Sequence, residues 1–288
     1  MMREQYFKVI EDIVSEAGEI ALNLIEDSQP AFKKDHSVIT RADIVISQLV
    51  HKRLADLLKT PEHILIDEED PAIARYFDQQ LLNKTPYIWA VDPIDATRSY
   101  ANRMPQFGIS IGLIRDLKPW LGAVYFPLFK ELFYCDGENS YFVQNAFMPD
   151  EIKIMIKPID QQITGQSVLL CNDGFFRKFN WDYKDCHVMI QACAAVELCW
   201  PAIGRGCGAV FRSSLWDFAG SWPIIQSAGL ALRSFESGQV LDRLELDFFT
   251  TEAATWKLRE HHILSSERNY SLLKNKISKI QYATRHQS

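Results

Sequence analysis

The chain has 288 residues, of which 47% are hydrophobic and 24% charged, enough to bury a large core in one big domain or two closely packed ones. A net charge of −6 without a block of lysines and arginines argues against nucleic-acid binding through a basic face. No apolar run reaches the length of a membrane span, and the N-terminus lacks the core of a signal peptide. The six cysteines have no zinc-like spacing, so we expect buried thiols in a cytoplasmic protein.

Two helices are predicted near the N-terminus. Apolar residues recur at helical spacing between residues 3 and 27, with acidic residues between them, which is typical of an amphipathic helix. Residues 31–37 are polar and basic and indicate a loop or a hairpin tip. Thr40 then precedes a second helical pattern that runs to Leu58, and Pro61 lies beyond its end.

A short apolar strand that runs into four consecutive acids occupies residues 63–70. A run of charges is usually a solvated turn. These acids, however, directly follow a strand, and a second strand end delivers carboxylates in the same way further along, so the two ends suggest a shared cation site. A helix is predicted next, over residues 71–82.

The strongest functional signal lies in residues 87–100. The first five are aromatic, apolar and β-branched, which favours a buried strand, and the proline after Asp92 should stop regular pairing. Asp92 and Asp95 then place two carboxylates at the strand end, which is costly unless a cation such as Mg²⁺ neutralises them. An ordinary turn is an equally open alternative, in which Asp95 or Thr97 caps a short helix. A helix that starts here would also direct free N–H groups at a phosphate.

The following segment predicts a largely antiparallel sheet with helices on a face, because strand patterns follow one another through short turns. These patterns cover residues 107–114, 121–125, 131–135 and 140–143. Gly108-Ile-Ser110-Ile-Gly112 matches the Gly-x-Ser-x-Gly motif of α/β-hydrolases, but that motif needs a strand, a sharp turn and then a helix. Here β-alternation continues and another strand follows, so we interpret Ser110 as structural.

The second half predicts alternating strands and helices. Residues 146–165 are irregular and form the predicted boundary between an N-terminal α+β domain (1–145), with most metal ligands, and a C-terminal α/β domain (146–288). Strands are predicted over 167–171, 187–190 and 209–212, and helices over 175–179 and 192–203. The glycine-rich segment 204–208 is better interpreted as a helix stop than as a phosphate loop.

Residues 215–229 combine an Asp beside a Trp with an apolar helical pattern. The simplest interpretation of Asp217 is an acid favoured by the dipole at a helix start. Pro223 is unusual inside a helix and should kink it.

Two of these motifs resemble those of one known family. Trp-Ala-Val-Asp-Pro-Ile-Asp-Ala-Thr (residues 89–97) resembles the metal-binding signature of the inositol monophosphatase family, which are Mg²⁺-dependent, lithium-sensitive phosphomonoesterases. Trp-Asp-Phe-Ala-Gly (216–220) resembles its second signature, and Asp67-Glu68-Glu69 fits its Gly-Glu-Glu with one change. The order of the predicted elements and the spacing of the motifs match those of the family from about residue 5 to 265. The resemblance implies an α+β fold, the layered α-β-α-β-α sandwich of the inositol monophosphatase and fructose-1,6-bisphosphatase type.

The resemblance also implies a site that holds two or three Mg²⁺ ions. The implied ligands are Glu68, Asp92, the carbonyl of Ile94, Asp95 and Asp217. A threonine at the position of Thr97 pairs, in the family, with the Asp of a Thr-x-x-Asp segment, which is Asp43 here. Glu68 and the Thr97–Asp43 pair would orient and deprotonate the attacking water. The N–H groups of Ala96 and Thr97 would hold phosphate oxygens.

Three departures from the family concern the substrate. Ala96 replaces the usual Gly, so we expect a negative φ there. Arg212 lies nearest the place where inositol phosphatases carry a Glu that contacts ring hydroxyls, and Arg favours anions. The ring-contact segment Gly-Thr-Ala appears as Ala192-Cys193-Ala194. Myo-inositol 1-phosphate is therefore a doubtful substrate, and one with a second negative group is a hypothesis.

The resemblance therefore implies a phosphomonoesterase that acts on a small phosphorylated metabolite and, like other family members, forms a homodimer. The composition predicts no nucleic-acid or membrane partner. A 3′(2′),5′-bisphosphate nucleotidase or a histidinol-phosphate phosphatase on the same scaffold is an alternative. A third is a weakly active family member that serves as a regulatory or protein-binding module.

Overall fold

Two helices cover one face of a large sheet. The computed structural model describes residues 2–33, 36–184, 186–251 and 256–280. Helix α1 spans Met2–Leu24 and α2 spans Arg41–Leu54, in agreement with the two predicted helices. Their apolar stripes are buried against the sheet, as the periodicity of the sequence requires. Between them a short hairpin pairs β1 (Ala31–Phe32) with β2 (Val38–Ile39), and residues 34–35 of the predicted hairpin tip lie outside the described residues.

The large sheet has seven strands in the order of the sequence. They are β3 (His63–Asp67), β4 (Tyr87–Asp95), β5 (Gly108–Arg115), β6 (Lys118–Phe126), β7 (Glu131–Cys135), β8 (Ser140–Gln144) and β9 (Ile152–Met155). Strands β3 and β4 are parallel and every later pair is antiparallel, so the prediction of a largely antiparallel sheet is confirmed. Helices α3 (Gln79–Lys84) and α4 (Thr97–Ala101) lie in the connections on either side of β4.

A second sheet of five strands lies on the other side of a helical layer. Its order is β12-β10-β13-β15-β14, and it mixes parallel and antiparallel pairs. The remaining strands are β10 (Ser167–Cys171), β11 (Phe179–Trp181), β12 (Cys186–Ile190), β13 (Gly208–Phe211), β14 (Ala231–Ser234), β15 (His262–Ser265) and β16 (Ile277–Lys279). The remaining helices are α5 (Phe175–Lys178), α6 (Ala194–Cys199), α7 (Leu215–Ala219), α8 (Trp222–Ser227) and α9 (Glu267–Lys276).

Three apolar clusters give the molecule its layers. One joins α1 and α2 to the first face of the large sheet. A second joins the other face to α6, α7 and α8 and to the five-stranded sheet, and a third lies on the outer face of that sheet with α5 and α9. The order is therefore α-β-α-β-α, as expected. Because the second cluster draws residues from both sides of position 145, the division into two domains stays a prediction.

Several local predictions are wrong, each for a physical reason. Residues 71–82 form no single helix, because the side chain of Asp78 accepts hydrogen bonds from the N–H groups of Gln80 and Leu81 and starts α3 afresh. Residues 146–165 are not wholly irregular, since they contain the edge strand β9. The helix predicted over 192–203 ends at Cys199, where Pro201 starts a 3₁₀ turn instead.

The two prolines of the signature segments also act differently from the prediction. Pairing of β4 with β5 is interrupted after Asp92 but resumes at Asp95, so Pro93 lies in a bulge and does not end the strand. Pro223 causes no kink. It lies in the first turn of a separate helix, α8, where its missing N–H costs little.

Among the described residues, none of the helices combines the length and the apolar character needed to cross a membrane.

Candidate active site

The ends of β3 and β4 place two acids side by side. Because the two strands run parallel, with Asp67 opposite Val91, their carboxyl ends lie at the same edge of the sheet. The N–H of Glu68 donates to the carbonyl of Val91 over 3.2 Å, which places Glu68 next to Asp92. The proposed sharing of one edge by the two strand ends is therefore present in the fold.

The third acid, Asp217, comes from the helical layer. It lies in the first turn of α7, where the N–H of Ser214 donates to its Oδ2 over 2.8 Å. The helix lies close against the large sheet because β5 carries a glycine: a Cβ on Gly112 would be 2.5 Å from the backbone of Ala219. This close approach brings a residue from the second half of the chain to the edge formed by β3 and β4.

Glu68, Asp92 and Asp217 form a compact acidic cluster. Each offers a carboxylate oxygen, and these oxygens all lie within 4.8 Å of one another. Asp92 is only 2% exposed, whereas the other two are partly exposed. Burial and the neighbouring carboxylates raise the pKa of Asp92 and the pKa of Asp217 well above their ordinary values. A set of hard oxygen donors that repel one another in this way fits a divalent cation.

Asp95 lies beside this cluster but its carboxylate has partners in α6. Its Oδ2 accepts a hydrogen bond from the N–H of Ala195 over 2.6 Å and one from Sγ of Cys193 over 2.9 Å. Burial raises the pKa of Asp95, and its charge in turn raises the pKa of Asp92 and Asp217. The structure thus brings three of the four predicted carboxylate ligands into one cluster and sets the fourth at its border.

Thr97 and Asp43 are in contact, as the sequence predicts. The Thr97 hydroxyl lies 3.2 Å from Oδ1 of Asp43 and 3.0 Å from the carbonyl oxygen of Ile94, so its single proton is given to one of the two at a time. Asp43 is fully buried in the first turn of α2, where its Oδ2 accepts from the N–H and the hydroxyl of Thr40. Burial raises the pKa of Asp43 to about 6.

The expected negative φ at Ala96 is wrong. Ala96 has a φ of 67° and a ψ of 49°, the left-handed conformation, and it is the residue from which α4 starts. The family's Gly takes this conformation without cost, whereas the Cβ of alanine is strained there. The β4–α4 corner keeps its geometry here because the flanking residues are fixed on both sides, by β4 and by the contact between Thr97 and Asp43.

Four of the six residues predicted to contact substrate line one cleft, whereas Ala96 and Thr97 are not part of its lining. Ala192, Cys193, Ala194 and Arg212 surround a space of about 230 Å³ together with Arg98. Cys193 itself is buried and donates to Asp95, so it connects the cleft to the acidic cluster. Arg212 is held by a hydrogen bond from its Nε to the carbonyl of Leu258 over 2.7 Å.

Two charged residues of the site escape the sequence reasoning. Lys33 reaches Glu68 over 3.1 Å and Glu69 over 2.7 Å. Burial alone would lower the pKa of Lys33, but the two carboxylates outweigh this effect and raise it. The signal was available, because a basic segment at residues 31–37 and an acidic run at 67–70 are complementary.

Glu197 is the second. It is 1% exposed, lines the same cleft in α6, and its Oε1 has no hydrogen-bond partner among the described residues. Burial, followed by the charge of Asp95, raises its pKa well above the ordinary value. Nothing in its sequence surroundings marks this residue, because it reads as one more acid in a helix.

The surroundings of Ser110 in the fold agree with its structural interpretation. Ser110 lies fully buried within β5, and its hydroxyl donates to the carbonyl of Trp216 over 3.0 Å. The next element is the strand β6, not the helix that a nucleophile elbow needs. Ser110 therefore ties β5 to the start of α7.

The sequence profile of the inositol monophosphatase family matches residues 2–274. The chain belongs to this family. It is 27% identical over 237 residues to inositol monophosphatase 1 of Solanum lycopersicum, which covers 78% of this chain and 83% of that protein. It is 31% identical over 141 residues to the 3′(2′),5′-bisphosphate nucleotidase CysQ of Salmonella typhimurium, covering 48% of this chain and 54% of that protein.

The fold is also that of solved family members. The IMPase of Thermotoga maritima has a TM-score of 0.69 and 18% identity, with 96% of each chain covered. This likeness shows the layered fold. Membership of the family supports a phosphatase function and fits the acidic cluster.

Proposed function

We propose that this protein is a Mg²⁺-dependent phosphomonoesterase that hydrolyses a small phosphorylated metabolite. The observation that carries this proposal is the convergence of Glu68, Asp92 and Asp217, from three separate segments, within 4.8 Å of one another. Three partly or fully buried acids at this distance repel each other and destabilise the fold, so a cation that neutralises them accounts for their presence.

The chain's own residues would perform the following steps. Asp92, Asp95, Asp217, Glu68 and the Ile94 carbonyl would hold Mg²⁺, which lowers the pKa of water and stabilises charge on phosphoryl oxygens. Glu68 would orient the attacking water. Asp43, whose pKa is about 6, would take a proton through the Thr97 hydroxyl that it contacts.

The start of α4 would bind the phosphate. The N–H groups of Ala96 and Thr97 lie at the N-terminal end of α4, where free donors and the helix dipole favour an anion. The main-chain donor of residue 96 is the same for alanine as for glycine. Attack by water from this site needs no covalent phosphoenzyme, and Ser110, which is buried in β5, has no part in it.

A phosphate-release panel tests the proposal. Purified protein is assayed against inositol monophosphates, sugar phosphates, nucleoside monophosphates, histidinol phosphate and 3′,5′-bisphosphates, with Mg²⁺, without it, and with Li⁺. We expect release that requires Mg²⁺ and is inhibited by Li⁺. Thr97→Val should lower kcat by about 100-fold or more, because it removes the proton path, while Thr97→Ser keeps most of it. Release that is independent of metal, or equal in both variants, would contradict the mechanism.

A bisphosphate substrate is the second candidate, and Arg212 favours it. This guanidinium lines the cleft beside Ala192 and Ala194, and its Nε is held by a main-chain carbonyl, which orients the group toward an anion. The bisphosphate nucleotidases among the relatives are consistent with such a substrate. Arg212→Glu should invert the preference between bisphosphates and monophosphates. An unchanged ranking refutes the role of Arg212, and a preference for histidinol phosphate would favour that alternative.

A weakly active regulatory protein would give a different result in the same panel. It would release no phosphate from any substrate, yet remain folded. The acidic cluster argues against it, since a binding module has no use for buried like charges. On family resemblance we also propose a cytoplasmic homodimer, which light scattering of the purified protein would test.

A further inference from the structure

A second cleft, of about 530 Å³, lies where β13 ends and β15 begins, since Arg212 and His261 both line it. It forms where β11 and β16 pair antiparallel, with Phe179 opposite Lys279. The N–H of Ile280 donates to the carbonyl of Lys178 over 2.9 Å, so the pairing sets Lys178 and Lys279 at the mouth of one cleft. A volume of this size lies within the range of small-molecule sites, about 300–1,000 Å³.

The lining of this cleft is positive, although the whole protein carries a net charge of −6. Four cationic side chains face two carboxylates, which gives a local balance of +2. The cations are Lys178, Arg212, Arg259 and Lys279, and the carboxylates are Glu236 and Glu260. Lys279 is paired with Glu236, and Glu260 accepts a hydrogen bond from Ser234. Within the described parts of the chain, the other three cations have no carboxylate partner.

The electrostatic surroundings agree with this uncompensated charge. Burial lowers the pKa of Lys178, and the neighbouring charges of Arg212 and Lys257 lower it further. His261 lies at the wall of the cleft, and its pKa is lowered to about 3. Burial is the largest cause, followed by the charges of Lys178, Arg212 and Lys279. His261 is therefore neutral at physiological pH, and a dianion in the cleft would relieve the repulsion among the cations.

Arg212 connects the two clefts. It lines the basic cleft and also the cleft formed by Ala192 and Ala194. Its Nε donates a hydrogen bond to the carbonyl of Leu258, and the two terminal NH₂ groups of the guanidinium can therefore bind an anion. The guanidinium of Arg212 is therefore a side chain that the two clefts share.

We propose that the basic cleft binds a phosphate group, with Lys178 and Arg259 as its main ligands and Arg212 at the border with the substrate cleft. Ammonium and guanidinium groups converging on one space are suited to phosphate, since guanidinium binds it through paired hydrogen bonds. The phosphate belongs either to the far end of a bisphosphorylated substrate or to a free phosphate ion. The first source rests on the proposed phosphatase function, and the binding itself does not.

The binding test uses the full chain after its metals have been stripped and the chelator dialysed away, so that the acidic cluster attracts no phosphate. Inorganic pyrophosphate and phosphate are titrated by calorimetry. The Lys178→Ala/Arg259→Ala variant should bind pyrophosphate about tenfold more weakly or worse, because two charge-assisted contacts are lost. The matched control, Lys52→Ala/Lys118→Ala, removes the same charge from exposed positions on α2 and β6 and should stay within about twofold of the wild type.

The results separate the possible outcomes. Absence of pyrophosphate binding by the wild type, or equal binding by the two double variants, overturns the site. If the site holds, kinetics with Mg²⁺ identify the source. A KM that rises about fivefold or more for a bisphosphate alone in Lys178→Ala/Arg259→Ala assigns the cleft to the substrate. An unchanged KM for both substrate types assigns it to free phosphate. If no substrate is hydrolysed at all, the proposed function fails while the binding result stands.

Discussion

Replacing Ala96 by glycine tests the strained corner between β4 and α4. The left-handed conformation of Ala96, with φ at 67°, costs about 1–2 kcal/mol relative to glycine. Glycine has a cost of its own, about 0.5–1 kcal/mol, because it gains freedom in the unfolded chain. Loss of a half-buried methyl group removes roughly 0.4 kcal/mol more. The net effect of Ala96→Gly on the free energy of unfolding should therefore lie between about 0.4 kcal/mol of destabilisation and about 1 kcal/mol of stabilisation.

A matched variant isolates the contribution of φ. Ala101 is the last residue of α4 and is also partly buried, but its backbone is helical. Ala101→Gly loses the same methyl group and gives the unfolded chain the same extra freedom, but it relieves no backbone strain. It should therefore destabilise the folded protein by about 1–1.5 kcal/mol. The two variants should differ by about 1–2 kcal/mol, measured from urea unfolding of the metal-free protein. Equal losses of stability in both would refute the argument that the corner is strained.

Three further predictions concern charge and hydrogen bonding. Asp217→Asn should raise the unfolding temperature of the metal-free protein and abolish the rise caused by Mg²⁺. The carboxylate oxygens of the cluster are no more than 4.8 Å apart, so at an effective dielectric of about 20 a like-charge pair repels by about 3.5 kcal/mol or more, which solvent screening reduces to about 1 kcal/mol. A lower unfolding temperature would count against repulsion. Burial raises the pKa of Asp43 to about 6 and that of Glu69 to about 7, so the folded state binds protons more tightly than the unfolded one between about pH 4 and 7. The free energy of unfolding without metal should therefore fall by about 4 kcal/mol from pH 5 to 8, and a rise would contradict the raised pKa values. Ser110→Ala should keep kcat and lose about 1 kcal/mol of stability, because the Trp216 carbonyl loses its donor, whereas loss of activity in a folded variant would reopen the nucleophile interpretation.

The sequence predicts the chemistry of the cluster better than its geometry. Buried strands that run into acids are visible as apolar runs followed by Glu68 and Asp92, and a buried carboxylate needs a counter-charge whatever the fold. The contact of Thr97 with Asp43 is predictable only through the family resemblance, because no local rule connects residues 54 positions apart. The position of Asp217 depends on the packing of α7 against Gly112, which is a tertiary effect.

The misses arise where one local interaction overrides a pattern. Helical periodicity over 71–82 is real, but the side chain of Asp78 caps a new helix within it. The prolines on both sides of β9 favour an irregular segment and outweigh its strand pattern, in which Ile152 and Ile154 alternate with polar or flexible residues. The sign of φ at Ala96 was predicted from the intrinsic preference of alanine, and the fixed elements around it impose the opposite value.

The parallel pairing of β3 with β4 determines where the chain tolerates change. If β3 ran the other way, Glu68 would lie a whole strand length, about 17 Å, from Asp92, and no ion could bridge them. Only the direction of the crossover matters for this, so the connection between Asp70 and Gln79 can lengthen during evolution at its exposed positions, as long as Ile73, Tyr76 and Phe77 keep their packing against the core. A single residue inserted within β4, by contrast, would turn every later side chain of that strand to the opposite face and dismantle the site.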